Sequence, residues 1–505
     1  MIYWKPINRK PMNLDRLHKL VFWAFLVLFL ATSASILFFT FGYRFSFDRG
    51  IFIYTGSVTI KSNPRAVGIS LDGKSVPSDM LHNINQSIHV TGITPGEHLL
   101  RVEAEGYLPW EKEVIIQSGV STEFWNILLP RSSYETTTMA EGGFVKVFNS
   151  STRKYFALVG DKDGETTITI LERKTGAAEQ VFSNREYRFD PKDGRNVEWS
   201  KDEKLLLVPL RSREGDRRAV FVIDRNTGTA TNLQDIVPVT DPENPRWHPD
   251  NDGTFFVLSQ GSLLLIRPDA ADTGQRITTV AQNISAYDLS GRFAAILDRA
   301  SGVISLIPFA DLTGTNRKTI AETIPGATHF TKPFLTMYDD RRIAIYDQGG
   351  EGFLWNDDGK LEPSVVKLGS GIQGIQFSDD GKKLLFFTDN EASVLFTRDW
   401  DVQPTREDGE ILQIARFSSP ISEVQWTKNY EHVLFVLGSE LKIAELDNRG
   451  RRNIETVLPS SGKTLRQVIT LPAENELYTI SGSVDSDTTT FSFISFPEPV
   501  GFFGQ

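Results

Sequence analysis

Four short acidic turns are the residues of this 505-residue chain with the plainest capacity for chemistry: Asp161-Lys162-Asp163-Gly164, Asp250-Asn251-Asp252-Gly253, Asp357-Asp358-Gly359 and Asp379-Asp380-Gly381. Alternating hard oxygen donors are what Ca²⁺ binds, but a full loop supplies six to eight oxygens, and the closing Glu of an EF-hand is not at its place. Asp and Gly also build turns between strands, and that is how these four are read. The seven histidines, His18, His82, His89, His98, His248, His329 and His432, are scattered, with no H-E-x-x-H pair to hold zinc. His82 and His89, seven apart in a loop-rich stretch, read as solvated. No G-x-S-x-G nucleophile turn occurs. Ser461-Gly462-Lys463-Thr464 imitates the end of a phosphate-binding loop, yet Leu458 stands where its early Gly belongs, so it reads as a turn. With no cysteine there is no disulfide, thiolate nucleophile, sulfur-ligated metal or lipid-attachment thiol. No catalytic, metal-binding or cofactor-binding residue is therefore singled out, no cofactor is expected, and the ligand-binding residues stay unassigned.

The elements that would carry any such residues begin with a greasy segment. Residues 20–41, LVFWAFLVLFLATSASILFFTF, hold no charge, and a helix of that length covers roughly 33 Å, close to the ~30 Å hydrocarbon core of a bilayer. A cleaved signal peptide has a shorter apolar core; here Ile36 to Phe39 continue the run past the small residues Ala31 to Ala34. An uncleaved anchor is expected, with the lipid bilayer as partner of residues 20–41. Lys5, Arg9, Lys10, Arg16 and Lys19 precede the span, and Arg44 and Arg49 follow it, so the positive-inside rule puts residues 1–19 in the cytoplasm and the bulk of the chain outside. Tyr3, Trp4 and Tyr43 are placed where amphipathic aromatics meet headgroups. The total charge is −10, and because residues 1–19 carry five Lys/Arg against one Asp, the rest holds −14. Such a body repels phosphate backbones, so no nucleic acid partner is expected.

From Thr55 to Pro130, short β-rich runs alternate with turn signals. Ser57 to Ile60 is one run and Val67 to Leu71 another; Asp72-Gly73 is a hairpin turn, and Pro95-Gly96 a turn with Pro at its second place and Gly at its third. Leu100, Val102 and Ala104 alternate with Arg101 and Glu103, the period of a half-buried strand. The stretch predicts a small antiparallel β-sandwich, with Gly106 allowing a bend and Tyr107 and Trp110 covering its core. Ser62-x-Pro64, Ile69-x-Leu71-Asp72-Gly73, Pro95-Gly96-Glu97-His98, Glu105-Gly106-Tyr107, Trp110 and the closing Val114-Ile115-Ile116 resemble the PEGA domain of bacterial and archaeal cell-surface proteins. Glu97 and His98 stand in the third and fourth places of its name motif, so the motif's tail is altered. The resemblance implies a surface-associated β-module and carries over no catalytic residue.

Beyond residue 140 one unit recurs. In 197–210, 245–259, 286–297, 375–387 and 424–437 an aromatic or apolar strand ends in a polar turn and an apolar strand follows. The anchors Trp199, Trp247, Tyr287, Phe377 and Trp426 are 48, 40, 90 and 49 residues apart, and the gap of 90 hides a degenerate unit near Leu335. A period of 40–50 residues of short strands is that of a β-propeller. Weaker units at 144–176 and 465–496 bring the expectation to seven or eight blades, eight preferred, with residues 134–138 completing the last one. The anchors and the turns after them resemble the TolB-like and WD-type propeller repeat, W-S-P-D-G-K; Trp199-Ser200-Lys201-Asp202, Trp247-His248-Pro249-Asp250 and Phe377 to Lys382 match it best. That repeat specifies a fold and leaves function open.

The expected chain is thus all-β beyond one transmembrane helix: a cytoplasmic basic stretch (1–19), the helix (20–41), a PEGA-like sandwich (55–130), a propeller (134–497) and a tail (498–505). Its expected role is a non-catalytic, membrane-anchored scaffold or binding protein outside the cytoplasm, engaging an envelope polysaccharide or another surface protein. The alternative is a propeller hydrolase or lyase, whose site would be assembled at the propeller mouth from several blades and leave no local motif.

Overall fold

The computed structural model describes all residues except 1–13, 47–49, 192–196, 252, 271–275, 313–315, 321–322, 358–363, 484–486 and 498–505. Tyr3, Trp4, the tail and parts of two acidic turns (Asp252, Asp358 and Gly359) thus lie outside the described residues. Helix α1 spans Leu14–Thr40. Its segment His18–Thr40 is long and apolar enough to cross a membrane, and none of it is buried against protein. Two short strands follow, β1 (Tyr43–Ser46) and β2 (Ile51–Tyr54), paired antiparallel with Tyr43 opposite Tyr54. This hairpin is an addition to the expected elements.

Eight strands then form two four-stranded sheets: β3 (Gly56–Asn63), β4 (Gly68–Leu71), β5 (Lys74–Ser75), β6 (Leu81–Ile84), β7 (Ser87–Ile93), β8 (Gly96–Glu103), β9 (Trp110–Ile116) and β10 (Ser121–Leu128). Their orders are β10-β3-β7-β6 and β5-β4-β8-β9. Asp72 (φ 51°) and Gly73 (φ 75°) make the tight turn between β4 and β5, both in the left-handed region that such two-residue loops need. Leu100 and Val102 of β8 point into the core with Val58, Ile60 and Val90, all fully buried. Two details correct the sequence reading. The sandwich is not wholly antiparallel: β10 runs parallel to β3, with Ser121 opposite Ser57. The Pro95-Gly96 pair is not a turn with Gly at its third place; Gly96, at φ 144°, already opens β8 opposite Ile116.

The remaining described residues form eight successive antiparallel sheets, called here sheets 1 to 8 in chain order: 144–184, 187–232, 243–282, 284–319, 333–369, 374–416, 421–458 and 464–495. Seven consist of consecutive strands. Sheet 8 takes three strands from the end of the chain and completes itself with β11 (Thr137–Gly142), which pairs with Thr489–Ser495 so that Thr137 faces Phe493. The succession closes on itself: Phe144, Val147 and Phe156 of sheet 1 share one core with Tyr478, Ile480 and Phe491 of sheet 8. Contact between neighbouring sheets runs through their first strands, which therefore crowd round a common axis. This is a β-propeller. Its second strands are covered on both faces and so read as unbroken apolar runs: Phe255, Phe256, Val257 and Leu258 are all buried.

The repeat now has a mechanical explanation. Each anchor tryptophan donates its indole N–H to a first-strand carbonyl of the preceding sheet: Trp199 to Phe148 O (3.4 Å), Trp247 to Glu198 O (3.0 Å) and Trp426 to Gln376 O (3.1 Å). The polar turn after the anchor is a closed circuit. In sheet 2, Ser200 Oγ donates to Asp202 Oδ1 (2.7 Å), which also accepts from Lys204 N (3.1 Å), while Leu205 N donates to Ser200 Oγ (2.9 Å). Ser378, Asp380, Lys382 and Lys383 repeat it in sheet 6. Burial pushes the carboxyls of Asp202 and Asp380 up, but these bonds outweigh it and hold both below the usual carboxylate range. Trp247→Phe removes the shorter indole bond, so we expect a loss of about 1–2 kcal/mol of propeller stability. Trp199→Phe, at 3.4 Å, should cost less; equal losses by urea unfolding would rule out the staple as the cause.

Candidate functional site

A cavity of about 1100 Å³ opens on the propeller between sheets 2 and 5. Four sheets supply it from strand ends that meet on one face of the ring. The side chains of Leu210, Tyr287 and Leu335 beneath it are buried, and its surface is more polar than apolar. Its rim is charged, with Arg218, Asp241, Glu243 and Lys332. Arg218 is locked in place: Nη1 donates to Asp241 Oδ2 (2.7 Å) and Glu243 Oε1 (2.6 Å). The Tyr287 hydroxyl donates to the carbonyl of Asn244, and Asn244 Nδ2 donates back to Tyr287 O (3.4 Å). These bonds hold part of the wall in place, and a concave surface with a few placed polar groups can orient a ligand.

The sequence carried one trace of it. In Thr240-Asp241-Pro242-Glu243-Asn244-Pro245, two prolines fall at the start of sheet 3. The register shift between Glu243 and Arg246 recurs in the first strands of sheets 1, 4, 5 and 7, while Asp241 (φ 48°) and Asn244 (φ 47°) stand in the left-handed region that Asp and Asn tolerate. The other cleft residues lie too far apart in the chain to form a local motif.

A second titratable cluster lies on the first strands. Arg246 sits between two carboxylates, donating through Nε to Glu198 Oε1 (2.9 Å) and through Nη1 to Asp288 Oδ1. The remaining oxygens are also occupied: Glu198 Oε2 accepts from Trp247 N (3.0 Å), and Asp288 Oδ2 from Met337 N (2.8 Å). Burial pushes the Glu198 carboxyl up, against the pull of Arg246. Raised carboxyls mark many active sites, but every oxygen here is bonded within or between neighbouring sheets, and the cluster does the work of a stitch. Gln467 makes the same kind of stitch from sheet 8, accepting from Val147 N (2.7 Å) and donating to Val147 O (2.9 Å).

The residues first considered for chemistry are dispersed. Asp163 and Gly164 form the turn of a hairpin in sheet 1, and Ser461 to Lys463 lie in the connection between sheets 7 and 8. Among the described residues no group of three or more His, Cys, Asp or Glu is placed to hold a metal. His82 and His89 are cross-strand partners in the sandwich, and His89 Nδ1 lies 2.9 Å from Thr59 Oγ1. His98, in the altered tail of the motif, meets Asp72 through Nδ1 (2.7 Å) and the carbonyl of Thr94 through Nε2 (2.8 Å), tying the start of β8 to the β4–β5 turn. That bond, the largest cause, holds the Asp72 carboxyl below its usual range. Trp110 is 4% exposed and packs edge-on against Phe124 at 5.2 Å, so it belongs to the core and presents no stacking platform.

With this geometry in hand the sandwich can be placed among known domains. Residues 55–130 match the PEGA domain. The PEGA domain here begins one residue after β2 ends and holds the whole sandwich. A comparison with curated proteins found no match. Among solved structures, the chain is similar to the C-terminal WD40 domain of Sif2 (10% identity, 72% of this chain and 99% of that one, TM-score 0.46). It is also similar to the Dos1 propeller (13%, 73% and 95%, 0.48) and to the computationally designed Ika8 protein (12%, 72% and 100%, 0.43). The propeller assignment stands on the sheet order and register given above. A PEGA domain, a propeller and an N-terminal apolar helix together fit a surface binding or scaffold role.

Proposed function

We infer that the chain is a non-catalytic scaffold or binding protein, held in the bilayer by residues 20–41, with its PEGA domain and propeller outside the cytoplasm. It engages an envelope polysaccharide or another surface protein through the cleft of sheets 2 to 5. The observation that carries this reading is the cleft itself: a largely polar surface, a rim held by the Arg218, Asp241 and Glu243 bonds, and ample volume for a sugar or peptide segment. The PEGA match directly behind an apolar helix supports the location, and the full occupation of the Glu198 and Asp288 oxygens supports a role without catalysis.

The test is retention of envelope fractions by the full chain in detergent, compared with a Thr328→Trp variant. Thr328 is exposed on the cleft wall, so the indole fills the cleft without touching the core. We expect retained polymer or protein to fall at least about tenfold with unfolding unchanged, since steric blocking removes more than ~1.4 kcal/mol of binding. Retention of nothing by either form, or equal retention by both, would reject the cleft as the binding face.

A further inference from the structure

The β1–β2 hairpin has two attachments and keeps large apolar side chains exposed. On the membrane side it folds against the last turn of α1: Phe38 stacks on Phe52 with centroids 5.5 Å apart, and Arg44 lies over the Phe39 ring at 3.3 Å. On the other side it is fixed to the PEGA domain. Thr55 donates to Gly42 O through both N (3.0 Å) and Oγ1 (2.6 Å), and Gly119 N donates to Thr55 O (3.0 Å). The Tyr54 ring lies so close over Gly119 that a Cβ there would stand 2.5 Å from Cε1. Phe45 (44% exposed), Phe52 (51%) and Tyr54 (41%) share one face of the ribbon and Ile51 (55%) lies on the other, and all four stay exposed despite these attachments.

Position decides what covers these side chains. The 23 residues of His18–Thr40 span about 34 Å at ~1.5 Å each, slightly more than the ~30 Å core, so Thr40 ends at the hydrocarbon boundary. Tyr43 follows three residues later, which keeps the start of the hairpin within about 11 Å of that boundary. Phe39 and Phe41 at the helix end are exposed as well. Aromatic side chains favour this layer, where their apolar bodies reach acyl chains and polar tips reach headgroups.

We propose that the paired strands Tyr43–Ser46 and Ile51–Tyr54 are embedded in the headgroup and acyl boundary of the bilayer that α1 crosses, where they set the height of the PEGA domain above the membrane. This rests on the anchor reading given above. The chain has no cysteine, so one introduced thiol is its sole labelling site. The full chain, reconstituted in phosphatidylcholine and phosphatidylglycerol vesicles, is spin-labelled at Phe52→Cys, with Val27→Cys in mid-helix and the exposed propeller position Ile411→Cys as references. Collision with oxygen and with a water-soluble nickel chelate reports depth. Position 27 should be deepest and 411 aqueous, with 52 near the phosphate plane at an oxygen-to-nickel ratio about fivefold above that of 411, as interfacial burial of aromatics requires. If 27 is deep and 52 matches 411, the hairpin proposal is overturned while the anchor stands. If 27 and 52 both match 411, the anchor reading fails and takes the hairpin with it. Broadening between labels at 52 that vanishes on dilution with unlabelled chain would assign the face to a second copy and overturn the proposal.

Discussion

Arg246→Ala will destabilise the propeller by about 3–5 kcal/mol near pH 7.5, the usual cost of removing one partner from a buried ionic cluster. The change leaves the carboxylates of Glu198 and Asp288 without their cation while backbone N–H groups of neighbouring sheets still hold both in place. Lowering the pH will restore part of the loss. Burial already raises the Glu198 carboxyl above its ordinary value, and Arg246 is the charge that opposes the rise. Without it the native state binds the proton more tightly still than the unfolded chain does. The stabilisation from protonating Glu198 is therefore complete below the ordinary carboxylate value and disappears as pH rises through the raised one. Hydrogen exchange of sheets 2 to 5, measured between pH 5 and 7.5 against the parent chain, reads the effect sheet by sheet. Exchange that changes in parallel for parent and variant over that range would refute the pH dependence.

A comparable loss is expected at Lys383. Its side chain is 2% exposed, and its Nζ donates to Glu431 and to Tyr430 O (2.9 Å) while lying 4.1 Å from the Trp400 ring centre. Burial pushes Lys383 down and Glu431 up, each against the pull of the other. Lys383→Ala leaves Glu431 enclosed without its cation and should cost about 3–5 kcal/mol, whereas Lys383→Met with Glu431→Leu should recover most of it, because a hydrophobic pair of similar volume often replaces a buried ion pair at little cost. Thermal unfolding of the three forms checks this. If the double variant is no more stable than Lys383→Ala, the stranded carboxylate is not the source of the loss.

These clusters illustrate what the sequence could and could not reveal. The propeller was legible because three of its staples use one residue type: an indole that must reach the previous sheet keeps Trp at 199, 247 and 426. Where Leu335 and Met337 fill the first strand of sheet 5 instead, no indole bond is needed and the repeat fades. The PEGA domain was legible from its turns, but the parallel β10–β3 pairing was not, since neighbouring strands of either direction show the same alternation. The cleft and the Arg246 cluster were illegible for a different reason. Both are assembled from separate sheets, and their members are spaced by the repeat itself, which hides them among residues that merely recur.

Sheet 8 has a consequence for how the molecule comes into being. β11 is made early, and its partner Thr489–Ser495 is nearly the last described segment to be made. During synthesis Thr137 must wait for Phe493, so the ring stays an open arc with raw strand edges at both ends until residues 489–495 have emerged. Contacts so distant along the chain make closure slow and leave those edges open to wrong partners in the meantime. A chain stopped short of residue 489 would lose the latch as well as a strand, leaving sheet 1 beside a neighbour of only two strands.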